Sequence, residues 1–115
     1  MNIFRRFKDY LQIREAVRQA ENAYMKNGER YYVMPSGDGK LIIMDRKNFR
    51  KLKQKRYISR KATVGNLVSE SFYFTPYGNG NGYISEECRK AKLKSYFSWC
   101  ESVRKMKKQS KNGKG

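Results

Sequence analysis

Residues 30–57 read RYYVMPSGDGKLIIMDRKNFRKLKQKRY, and this stretch decides the fold. Arg30 to Met34 is rich in aromatic and branched side chains, Pro35-Ser36-Gly37-Asp38-Gly39 is turn chemistry, and Lys40 to Met44 holds Leu41-Ile42-Ile43. Two apolar runs around a loop of about five residues predict a β-hairpin. Asp45 then stands where a carboxylate can accept from the free amides of a new helical turn. In the helix that follows, Phe49 and Leu52 fall within about 60° of each other. Arg46, Lys47, Arg50, Lys51, Lys53 and Lys55 cover most of what remains.

Upstream, Phe4, Phe7, Leu11, Val17, Ala20 and Tyr24 recur at helical spacing, and Gly28 is a natural stop. This stripe is expected to pack on the core. A membrane-surface anchor led by Phe4-Arg5-Arg6-Phe7-Lys8 is the competing reading, and Asp9, Glu15 and Glu21 argue against it. Downstream, Val64, Leu67 and Val68 fit either a helical turn or an irregular strand, whereas Ser71-Phe72-Tyr73-Phe74-Thr75 reads as a strand ended by Pro76. The run YGNGNGY, residues 77–83, is a flexible loop; it has neither the Gly-Lys-Ser/Thr ending of a phosphate loop nor the dinucleotide fingerprint. Contact between the Gly78–Gly82 stretch and a backbone phosphate is left open.

Ser85 predicts the cap of a long helix with Glu86 and Glu87 in its first turn and a stripe of Leu93, Tyr96, Trp99, Cys100, Val103 and Met106. The expected fold class is α+β: a small antiparallel sheet, hairpin plus one strand, packed with N-terminal, central basic and long C-terminal helices. Residues 1–108 form one domain in this reading, and 109–115 form a disordered basic tail.

Charge is the most informative part of the composition. Lys and Arg number 27 against 10 Asp and Glu, a net charge of +17 over 115 residues. Residues 29–60 carry ten cations and three acids, 61–84 one of each, and 85–115 again ten and three. Acids that normally intersperse solvated faces are scarce, which points to a polyanionic partner. Histidine is absent, removing the usual general base and the commonest metal ligand. A non-enzymatic protein with no cofactor and no metal is expected. Asp38-Gly39-Lys40 matches the tail of a nuclease pattern but lacks a clear second acid.

Cys88 and Cys100, on one helix about 18 Å apart, cannot bridge and read as reduced thiols. No signal peptide or bilayer-spanning run is seen, so a cytoplasmic protein is expected. Its partner is expected to be nucleic acid, with single-stranded DNA, duplex DNA and RNA all open, bound mainly at phosphates. A first strip of Arg46, Lys47, Arg50, Lys51, Lys53, Lys55 and Arg56 and a second of Lys90, Lys94, Lys105, Lys107 and Lys108 are the candidate contacts. Tyr31, Tyr32, Tyr57, Tyr73, Tyr77 and Tyr83 are candidates for stacking on unpaired bases. The alternative is an interaction module that docks an acidic host or viral protein.

RYYVMP, DGKLIIMDRKNFRKLK, SFYFTPYG and SYFSWCES together resemble small basic proteins encoded by microviruses of gut bacteria, phages with single-stranded DNA genomes. The resemblance spans roughly residues 15–102 and carries no site residues with it. It implies a non-structural or genome-associated viral protein acting in the host cytoplasm.

Overall fold

A computed structural model describes residues 3–56 and 61–113, so Tyr57 lies outside the described residues. The elements, in order, are α1 (Ile3–Asn27), β1 (Tyr32–Pro35), β2 (Leu41–Met44), α2 (Arg46–Gln54), α3 (Val64–Glu70), β3 (Tyr73–Phe74) and α4 (Glu86–Gly113). The three strands form one antiparallel sheet in the order β2-β1-β3. An α+β fold of four helices and this small sheet is therefore present.

The hairpin forms as its turn residues dictate. Tyr32 faces Met44 and Pro35 faces Leu41, and Ser36 N–H donates to Lys40 O at 2.8 Å to close the loop. Across the other edge Tyr32 faces Phe74 and Val33 faces Tyr73. The ladder is lengthened by Phe72 N–H to Val33 O at 2.8 Å and by Thr75 N–H to Tyr31 O at 2.9 Å. Successive strand residues point to opposite faces, and both faces are covered. Val33 and Tyr73 pack with Ile13, Ala16 and Ala20 of α1 and Tyr96 and Cys100 of α4. Tyr32, Met44 and Phe74 pack instead with Phe49 of α2 and Leu67 of α3.

Local capping fixes the helix starts. Asn48 N–H donates to the Asp45 carboxylate at 2.7 Å, as the sequence predicts, and Cys88 N–H donates to Ser85 Oγ at 3.1 Å. The segment around Val64, Leu67 and Val68 resolves as helix α3, opened by Thr63 N–H donating to the Asn66 side chain at 2.7 Å. Lys92 Nζ then donates to Val68 O at 2.7 Å and Ser71 O at 2.5 Å, supplying a cation to the carbonyl end of α3.

Three expectations differ from the structure. In the first half of α1, Phe4, Phe7 and Leu11 are exposed, and the buried face is Asp9, Ile13, Ala16 and Ala20. Small alanines admit the helix close to the sheet, and Asp9 is tolerated there because Arg104 of α4 donates to its carboxylate. Met106 is exposed, unlike the rest of the α4 stripe. α4 also continues over residues 109–113, which the sequence reading gives to a tail; Met106-Lys107-Lys108-Gln109 contains no helix breaker. Cys88 and Cys100 are both free thiols, and among the described residues no helix is long and apolar enough to cross a membrane.

Candidate nucleic-acid interface

α2 begins immediately after the hairpin, so its first turn projects from the end of β2 beside the start of β1. Arg46, Lys47 and Arg50 there line a cleft of about 590 Å³ together with Gly28, Glu29, Arg30, Tyr77 and Gly78. Arg30 is the residue around which this cleft is built. It is only 7% exposed, and its Nη2 donates to Gly82 O at 2.8 Å. Its guanidinium lies 4.3 Å from the centre of the Tyr77 ring, 4.5 Å from that of Phe74 and 5.7 Å from that of Tyr32. Three aromatic faces thus take the place that a carboxylate normally fills.

No carboxylate does fill it. Among the described residues, the ion pairs are Arg18 with Glu15, Lys90 with Glu86 and Arg104 with Asp9, and none involves Arg30, Arg46, Lys47 or Arg50. Arg30 Nε is buried without a hydrogen-bond partner, as is the Tyr32 hydroxyl. Burial pushes the Tyr32 phenol upward, so that hydroxyl stays protonated. A buried guanidinium with an unmet donor is costly, and at the same opening three further cations outnumber the one carboxylate, Glu29, so the potential is positive. An anion entering the cleft would offset that positive potential.

The loop that walls the cleft is held by close backbone approach. A Cβ on Gly78 would stand 2.6 Å from Gly28 O, and Tyr24 Oη donates to Tyr77 O at 2.9 Å. Gly82 has φ +71°, and a Cβ there would meet the Tyr77 ring at 2.9 Å. The Gly-Asn-Gly-Asn-Gly run is therefore the clamp that seats Arg30 beneath Tyr77.

The remaining candidates are distributed differently. Lys51 farther along α2 and Lys55 and Arg56 just past its end are exposed, and Lys53 is half-buried with its Nζ 5.8 Å from the Phe49 ring centre. Arg56 takes a left-handed φ of 65° just past the helix. Lys90 faces Glu86 at 3.7 Å, and Lys94, Lys105, Lys107 and Lys108 are exposed on α4. Lys107 lines a separate, smaller cleft of about 170 Å³ with Lys8, Gly39, Trp99 and Arg104. Of the first strip Arg46, Lys47 and Arg50 line the Arg30 cleft, and none of the second strip does. Of the tyrosines, Tyr32 and Tyr73 are buried and Tyr31 is half-buried; Tyr77 and Tyr83 are exposed, at 37% and 74%.

Asp38 serves the hairpin turn. The Ser36 side chain and the Lys40 amide hold its carboxyl below the usual range. Among the described residues no cluster of His, Cys, Asp and Glu is arranged to hold a metal ion. Arg30 was missed in the sequence because its partners, Phe74, Tyr77 and Gly82, lie more than forty residues away. Its one local signal is a cation directly before two tyrosines at the head of a strand.

No protein-family model, curated protein or solved structure matches the chain.

Proposed function

We propose that this protein binds nucleic acid non-enzymatically, gripping phosphates with little sequence preference, in the cytoplasm of the cell that makes it. The observation that carries this reading is Arg30: a buried guanidinium without a carboxylate, opening with Arg46, Lys47 and Arg50 into one cleft. Phosphate suits such a site because guanidinium groups present forked donors to its oxygens. The exposed cations farther along α2 extend the same surface over neighbouring phosphates. A genome-associated, non-structural role in a phage belongs to the proposal and rests on the sequence resemblance alone.

The test is a titration of labelled single-stranded DNA, duplex DNA and RNA at several salt concentrations. Replacing Arg46, Lys47 and Arg50 together by Ala is expected to weaken binding at every sequence. It should also flatten the slope of log affinity against log salt by about 2 for a single strand, at roughly 0.7 per phosphate contact. An unchanged slope removes the cleft from the interface. No binding to any of the three at low salt leaves the acidic-protein partner as the reading to pursue.

A further inference from the structure

α1 has two apolar faces, and the fold uses one of them. At 100° per residue, Asp9, Ile13, Ala16 and Ala20 share a narrow sector, and they are buried. Ile3, Phe4, Phe7, Tyr10 and Leu11 fall in a second sector, about 120° wide and nearly opposite the first. Their exposures are 77%, 80%, 61%, 42% and 45%. A contiguous apolar surface of this kind on a highly charged protein marks a docking site. Ile3, Phe7 and Tyr10 also line a shallow groove with Arg6 and Phe97 of α4, the Arg6 guanidinium resting 4.8 Å from the Phe97 ring centre.

Charge around the patch identifies what covers it. Lys8 stands at one edge of the apolar sector, Arg6 at the other, and Arg14 continues its line beyond Leu11. The acids that argue against a lipid surface in the sequence are all engaged. Asp9 is on the buried face with Arg104, Glu15 is paired with Arg18, and Glu21 accepts from the Tyr73 hydroxyl at 3.3 Å. A second copy on this patch would bring two chains of +17 together, with like charges at the rim.

We propose that this face of α1 docks on an anionic lipid surface, with the Phe4 and Phe7 rings entering the headgroup boundary. Arg6, Lys8 and Arg14 then lie against lipid phosphates. Aromatic residues on one face and cations beside them are what in-plane binding to such a surface requires, and each cation near it strengthens the attraction. The patch is on α1 and the Arg30 cleft is not part of it, so this inference stands independently of nucleic-acid binding.

Co-sedimentation of the full chain with vesicles tests it, using phosphatidylcholine alone and an equal mixture with phosphatidylglycerol. The wild type is expected on the mixed vesicles and not on the neutral ones. Phe7→Ser with Leu11→Ser keeps every charge and removes only exposed apolar side chains of the patch, so circular dichroism should be unchanged while vesicle affinity falls at least about ten-fold. Equal binding by this variant overturns the proposal, because charge alone then explains adhesion. So does an absence of vesicle binding, or a lipid-free dimer that the two substitutions dissolve, which would assign the face to a second copy.

Discussion

Arg104 donates through Nη2 to the carboxylate of Asp9, joining the far half of α4 to the early turns of α1. Asp9 is 6% exposed, and its side chain sits on the face of α1 that also carries Ile13 and Ala16. The pair is what allows a carboxylate to occupy a core position. In return, the guanidinium of Arg104 is held in its charged form by that carboxylate.

Arg104→Met is therefore expected to destabilise the domain by about 2 kcal/mol, less than the loss for a fully buried pair because Arg104 remains partly solvated. Urea unfolding of the variant measures this directly. Adding Asp9→Asn to it should recover part of the loss, since the stranded charge is then gone. A single variant as stable as the wild type would show that Asp9 is solvated after all.

Alkaline pH should unfold the protein through its buried tyrosines. Tyr96 is fully buried and donates to Asp9 O at 2.7 Å; burial, then Cys100 and Asp9, push its phenol well above the ordinary tyrosine range. Burial raises Tyr32, Tyr73 and Cys100 as well. Each folded pKa lies above its unfolded value, so the unfolded chain releases the proton first. The associated stability is complete below the unfolded values, about 8.5 for a thiol and about 10 for a phenol, and drains away as pH rises from there through the folded ones. Melting temperature should be level near neutrality, decline from about pH 9 and fall steeply beyond about pH 10. Tyr96→Phe should make the fall shallower.

Ligand linkage gives a third expectation, at the cleft. Any anion that binds the folded chain alone stabilises it, by about 2.7 kcal/mol at a hundred times its dissociation constant. Tripolyphosphate is expected to raise the melting temperature of the wild type more than that of the variant lacking Arg46, Lys47 and Arg50. Equal shifts in the two proteins would mean that the anion acts over the whole surface.

Local chemistry made much of this fold legible. The hairpin, the Asp45 and Ser85 caps and the strand around Tyr73 are set by residues within a few positions of one another, and each forms where its sequence places it. α3 was ambiguous because seven residues hold too few periods to separate a helix from a strand. The outward turn of Phe4, Phe7 and Leu11 was hidden, since periodicity identifies an apolar face without saying whether the core needs it. Ala16, Ala20 and Asp9 won the inner position through closeness of approach and a partner ninety-five residues away. The first strip of cations was readable from charge alone, but the buried Arg30 behind it depends on a loop that sequence places far off.

α1 also carries a mechanical implication. It runs unbroken from the exposed phenylalanines to Asn27, and Gly28 beyond it lines the Arg30 cleft. Leu11 and Gly28 are seventeen residues apart, which in a helix is about 25 Å. A single rigid rod thus sets the spacing between the apolar patch and the Arg30 cleft, so, if both proposals hold, a strand held at one end would be kept at a fixed offset from a bilayer engaged at the other.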